Sequence, residues 1–156
     1  MMIDLGKPAP DFTLPRDGDG DGEITLSDLK GGPVVLFFYP KGNTPGCTTE
    51  ALDFTARMPE FAASNCTVLG ISKDSVKKHD NFRNKHDLGV TLLSDANSNV
   101  CETYGVWQEK KMYGKTFMGI VRSTVLIDEN GKIAKTWTKV KVAGHADEVL
   151  SAVKEL

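Results

Sequence analysis

The chain has 156 residues, 40% hydrophobic and 26% charged, enough for one domain with a real core and the composition of an ordinary globular protein. A formal net charge of −2 excludes a broad basic surface for nucleic acid or an anionic membrane. The longest apolar run, residues 33–39, is far too short to cross a bilayer and suits a buried strand. Residues 1–10 lack a basic segment followed by an apolar stretch, so they do not read as a secretory signal, and a cytoplasmic location is expected.

Residues 11–15 and 23–27 read as short strands around a Gly/Asp turn. Residues 33–39, rich in Val and Phe, have the pattern of a central strand buried on both faces, ending at Pro40. Residues 47–63 turn helical, with Pro59 expected to break or kink the stretch. Residues 67–72 form another apolar strand. Residues 75–88 form a polar helix capped by Ser75, with Gly89 just past its end. A short strand follows at 91–94 and a short helix at 98–104. Residues 105–119 show no clear period and read as a lysine-bearing surface loop. Residues 120–128 and 132–137 read as strands joined by Asn130-Gly131, a strong hairpin signal. A last helix spans residues 145–156.

This order predicts an α/β protein, a sheet covered by helices, in one domain over residues 1–156. It matches a thioredoxin-like layout with an N-terminal β-hairpin extension in front of a central mixed sheet.

Three cysteines, Cys47, Cys66 and Cys101, do not make a disulfide framework, and none completes a C-x-x-C pair. Cys47 follows the central strand and opens a helix. Ligand sites in open α/β sheets lie beyond the carboxyl ends of strands. The first helical turn adds unpaired N–H groups and partial positive charge, which favour a thiolate nucleophile. The plain alternative is a small buried apolar residue, and spacing alone does not decide between the two. Thr44, three residues earlier, can point a hydroxyl into the same pocket, while Pro40 and Pro45 stiffen the loop.

The pattern Pro40-x-x-x-Thr44-x-x-Cys47 resembles the active-site motif of the peroxiredoxins. Tyr39-Pro40-Lys41 and Thr44-Pro45-Gly46-Cys47-Thr48-Thr49-Glu50 resemble the peroxiredoxin Q branch, also known as bacterioferritin comigratory protein. The opening Pro8-Ala9-Pro10-Asp11-Phe12, the stretch Val68-Leu69-Gly70-Ile71-Ser72 and Gly119-Ile120-Val121-Arg122-Ser123-Thr124 extend the likeness nearly end to end.

The resemblance implies a thiol-dependent peroxidase, an antioxidant enzyme without a cofactor, reducing hydrogen peroxide and organic hydroperoxides through a sulfenic acid on Cys47. Arg122 would favour the thiolate, Thr44 would hydrogen-bond the reacting oxygen, and the N–H groups near Gly46 and Cys47 would hold the same group. Pro40 would shield the sulfur, and Glu50 would orient the arginine. Read without the resemblance, Arg122 is a solvated strand residue in an ion pair and Glu50 a helix-dipole partner. The reductant would be thioredoxin, glutaredoxin or glutathione, and a monomer is expected, with a dimer as the alternative.

The sequence departs from the branch at the resolving cysteine. One usual position holds Leu52; at the other, Arg83 is the nearest equivalent. Either the enzyme works with one cysteine and an external thiol, or Cys101 or Cys66 resolves the sulfenic acid after local unfolding. Cys66 begins a core strand; Cys101, on a short helix among polar residues, is expected to be the more exposed of the two.

A second motif competes. Asp17, Asp19, Asp21 and Asp28 occupy the first, third, fifth and twelfth positions of an EF-hand-like calcium loop, with Gly22 at the sixth. The short last carboxylate and the strand-like flanks favour an acidic hairpin turn instead. His79, His86 and His145 have no metal-ligand spacing and read as structural or solvated. A thiol–disulfide oxidoreductase is disfavoured because Glu50 stands where a second cysteine would complete C-x-x-C.

Overall fold

The computed structural model describes residues 3–18 and 22–156. Two short strands open it, β1 (Thr13–Pro15) and β2 (Glu23–Thr25), followed by a 3-10 helix over Leu26–Leu29. Then come β3 (Val34–Phe38), α1 (Pro45–Ala56), α2 (Met58–Ala63), β4 (Thr67–Ser72), α3 (Val76–His86), β5 (Thr91–Ser94) and α4 (Val100–Thr103). The chain closes with β6 (Trp107–Met112), β7 (Lys115–Ile120), β8 (Ser123–Ile127), β9 (Ile133–Trp137) and α5 (His145–Lys154). Five strands form the central mixed sheet in the order β5-β4-β3-β8-β9. The β3, β4 and β5 strands are parallel, and β8 and β9 run against their neighbours.

All five residues of β3 are buried, which is why the sequence shows a run there and not an alternation. Period two still decides which side each one packs on. Val35 and Phe37 join α1, α2, α3 and α5 through Ala51, Phe54, Phe61, Phe82 and Val149. Val34, Leu36 and Phe38 join the opposite layer, with Leu14, Leu26, Val100, Cys101 and Tyr104. The larger helices cover one face; the N-terminal hairpin, the 3-10 helix and α4 cover the other.

Three boundaries differ from expectation. The helix predicted over residues 47–63 starts earlier, with Pro45 in its first turn, and breaks at Arg57 (φ −103°, ψ 4°), just ahead of Pro59. Arg57 is held there by the carboxylate of Asp147 on α5 and by the Asp53 carbonyl (2.7 Å). The strand predicted from residue 120 is interrupted by Val121 and Arg122. The largest difference is residues 105–119: β6 and β7 form an antiparallel hairpin apart from the main sheet. Its two-residue turn has positive φ at both Tyr113 (52°) and Gly114 (76°), the signature of a type I′ turn. A tyrosine at the first position hides the turn, because Asn, Asp or Gly ordinarily stands there.

The acidic loop begins with a buried ion pair. Asp17 turns inward, fully buried, and pairs with the Arg83 guanidinium. Its Oδ1 accepts the Leu92 N–H (3.0 Å), while Arg83 donates to the Leu88 carbonyl (2.7 Å). A carboxylate engaged in this way has little left for a cation. Asp28 sits in the 3-10 helix, and Asp19 and Asp21 lie outside the described residues. Among the described residues no group of three or more His, Cys, Asp or Glu could hold a metal ion. The pair instead ties the N-terminal hairpin to α3 and β5.

Two stability changes are expected. Asp17→Ala leaves the Arg83 charge largely buried without its partner, and the urea midpoint should fall by an amount equivalent to about 3 kcal/mol. Tyr113→Asn relieves a left-handed tyrosine and should raise stability by about 1 kcal/mol, with an unchanged denaturant slope.

Candidate active site

The site forms where β3 ends. Because β8 runs antiparallel to β3 with Phe38 opposite Ser123, the residue before Ser123 lies beside the chain leaving Phe38. This register brings Arg122 to the loop that carries Cys47. The loop is anchored from below: Asp74 accepts the Gly42 N–H (2.7 Å), and Asn43, at φ 62°, shares a hydrogen bond with His86 (3.2 Å). A Cβ at Gly42 would stand 3.0 Å from the Phe82 ring, so this glycine lets the loop lie close on α3.

With Thr44 as N-cap, Cys47 is the third residue of α1. The first helical N–H to find an intrahelical acceptor is that of Thr48, on the Thr44 carbonyl (2.9 Å). The N–H groups of Gly46 and Cys47 precede it and belong to the open end of the helix. Cys47 is 2% exposed. The Arg122 guanidinium donates through Nη2 to Cys47 Sγ (3.2 Å) and through Nη1 to Glu50 Oε1 (2.7 Å). Glu50, one turn along α1, is 1% exposed, and no described residue gives its Oε2 a hydrogen bond.

Burial pushes the Glu50 carboxyl up to about 7, against the pull of Arg122. Burial also opposes the Arg122 charge, but Glu50 and Cys47 outweigh it and hold the guanidinium protonated. Behind the site, Thr124 shares a 2.7 Å hydrogen bond with His145 Nε2, and burial lowers that imidazole to about 4. Tyr39 and His79 share another of 2.8 Å. Asp74, half-buried, was not singled out from sequence; its role as an anchor of the loop appears only in the fold.

The structure brings Cys47, Glu50 and Arg122 into contact and sets Pro40, half-buried, at the start of the same loop. The Thr44 hydroxyl donates to the Lys41 carbonyl (2.8 Å), so what it retains for the pocket is an acceptor oxygen. Cys101 needs a correction. It is fully buried, not exposed, and packs on the opposite face of the sheet from Cys47. Burial, with Asp95 nearby, pushes its thiol well above the usual range. Cys66 shares the face of Cys47 but precedes β4 at the far end of the sheet. Burial pushes its thiol up to about 12.

A guanidinium clamped on a cysteine in the first turn of a helix, beside a thioredoxin-like sheet, defines a thiol-dependent peroxidase of the peroxiredoxin class. Comparison with known proteins gives the same class. Residues 5–136 match the model of the AhpC/TSA family, and the chain belongs to that family. It is 49% identical over 150 residues to the peroxiredoxin Bcp of Xanthomonas campestris, covering 96% of this chain and 94% of that protein. It is 46% identical over 156 residues to the peroxiredoxin Bcp of Bacillus subtilis, covering 100% and 98%. A solved structure of the Xanthomonas campestris bacterioferritin comigratory protein, described in terms of its alkyl peroxide reduction, superposes with a TM-score of 0.89 at 45% identity, covering 97% of this chain and 98% of that one. The protein is thus an oxidoreductase acting on peroxides with thiol electrons.

Glu50 gives a pH prediction. Its folded pKa, about 7, lies above the ordinary 4.5, so between these values the native state holds a proton that the unfolded state has lost. Stability from this group therefore falls as pH rises from 4.5 to 7. The difference in unfolding free energy between wild type and Glu50→Gln should decline across that window and level off above it. A difference that stays flat with pH would contradict the raised carboxyl.

Proposed function

We propose that residues 1–156 form one peroxidase domain in which Cys47 is the attacking thiol. The supporting observation is the 3.2 Å bond from Arg122 to its sulfur, in a helix's open first turn. The guanidinium favours thiolate over thiol. The sulfur attacks one peroxide oxygen in line: an S–O bond forms as the O–O bond breaks. Sulfur is oxidised by two electrons to sulfenic acid, and the leaving oxygen takes a proton to depart as water or an alcohol. Arg122 and the N–H groups of Gly46 and Cys47 stabilise the charge growing on the peroxide oxygens. The Thr44 oxygen accepts the peroxide's O–H, Glu50 positions Arg122, and Pro40 keeps water from the sulfur. Organic hydroperoxides are the substrate class alongside hydrogen peroxide, in keeping with the alkyl peroxide reduction ascribed to the Xanthomonas protein.

Recovery draws on an external thiol, supplied by thioredoxin, glutaredoxin or glutathione in the reducing cytoplasm. Cys101 faces the wrong layer, Cys66 is a buried neutral thiol, Leu52 has no sulfur, and Arg83 is paired with Asp17. No helix among the described residues is long and apolar enough to cross a membrane.

One equivalent of peroxide followed by dimedone should label Cys47 and no other cysteine. Cys47→Ser should abolish turnover, while Cys101→Ser leaves it intact. Arg122→Gln should slow single-turnover oxidation by about a hundredfold. A Cys47–Cys101 disulfide in the mass spectrum, or an active Cys47→Ser enzyme, would sink the scheme.

A further inference from the structure

The β6–β7 arm carries a set of features that the peroxide chemistry does not use. Met112 (54% exposed), Tyr113 (96%), Phe117 (42%) and Met118 (52%) cluster on this one hairpin. The arm pairs with no strand of the main sheet, and a lone two-stranded hairpin is marginal in water. Its tip holds a tyrosine in the left-handed region, where Asn or Gly would cost less. Local rules broken at an exposed tip, with no gain inside the fold, point to a contact outside it.

Cross-strand partners share a face, and here Lys110 stands opposite Phe117 and Met112 opposite Lys115. Residues 107–120 carry three lysines against one glutamate, in a chain whose net charge is −2. The other face turns inward at the root of the arm, through Trp107 and Ile120.

We infer that this arm is the docking surface for the protein that re-reduces Cys47, a dithiol reductant whose contact face is acidic around an apolar patch. The inference rests on the reading of Cys47 as a thiol recycled from outside. Cationic side chains around exposed aromatic and thioether groups suit such a face and steer its approach. The arm is also joined to the site along the chain. From the tip, β7 runs to Ile120 and, two residues on, to the Arg122 that grips Cys47. Lys110 marks the root of the arm, donating to the Ile120 carbonyl (2.9 Å). The chemistry balances with a dithiol. One reductant thiolate attacks the sulfenic sulfur, forming a mixed disulfide as water leaves. The second thiolate then breaks that disulfide, returning Cys47 as the thiolate and leaving the reductant oxidised.

The test uses the full chain with reduced thioredoxin as the probe, glutaredoxin as a second, and dithiothreitol as a small thiol that needs no docking. In the Lys115→Glu variant, KM for whichever protein reductant supports wild-type turnover should rise about tenfold and lose its salt dependence. Tyr113→Asn should raise KM severalfold while improving the turn, which separates lost contact from lost fold. Single-turnover oxidation of Cys47 and dithiothreitol-supported turnover should match wild type in both variants. Unchanged KM in both would overturn the proposal, as would turnover sustained by small thiols alone. A change of oligomeric mass with KM unaltered would give the arm to a second copy of the chain instead. Wild type that consumes no peroxide with dithiothreitol would remove the Cys47 reading, and the docking with it.

Discussion

One guanidinium has to satisfy two partners that are both almost out of water. Arg122 bonds the Glu50 carboxylate and the Cys47 sulfur at once, and neither Cys47 nor Glu50 is more than 2% exposed. Burying the carboxylate is costly, and burial raises its pKa to about 7 against the pull of Arg122. The site therefore holds together only if the arginine arrives from a direction that reaches both groups. The antiparallel register of β8 on β3 supplies that direction, because it sets Arg122 beside the chain leaving Phe38. The register in turn depends on a β3 buried along its whole length and packed on both faces, which leaves it little freedom to slip. Packing and chemistry are thus linked through a single strand pair.

The sequence discloses the parts of this arrangement that depend on local signals. The run Val34–Phe38 declares a central strand by composition alone, and Ser75 declares a helix start, which its hydroxyl confirms by accepting the Lys78 N–H (3.2 Å). Asn130-Gly131 declares the β8–β9 turn, completed by the Asp128 carboxylate accepting the Asn130 N–H (2.9 Å). Cys47, Thr44 and Arg122 stood out through their motif. What stayed hidden depends on long-range partners. A Tyr-Gly pair does not announce a type I′ turn, so the β6–β7 arm read as a loop. Asp17 read as part of an acidic turn; its partner, Arg83, lies 66 residues away. Cys101 looked accessible because Asn99 and Glu102 flank it, yet α4 turns its sulfur into the core while Glu102 faces Lys73 outside. Polarity of neighbours in sequence says little about a side chain on a one-turn helix.

The same packing that builds the site isolates it. The sheet divides the cysteines, with Cys47 and Cys66 on one face and Cys101 on the other. Within the shared face, parallel pairing of β3 and β4 sets Val34 beside Thr67 at one end, while Cys47 follows the other end. At roughly 3.3 Å per residue, five residues of strand keep Cys66 and Cys47 too far apart for the close approach a disulfide needs. Leu52 lies on the outer side of α1 and Arg83 is fixed to Asp17, so neither position offers a second thiol. The Asp17–Arg83 pair binds α3 to β5 and to the segment after β1, so opening α3 would expose a charge pair as well as apolar surface. Such a fold favours staying closed through the catalytic cycle. On the proposed reading that Cys47 is recycled by an external thiol, the sulfur is approached from solvent, and the shape and charge of the surface around it then become part of the enzyme.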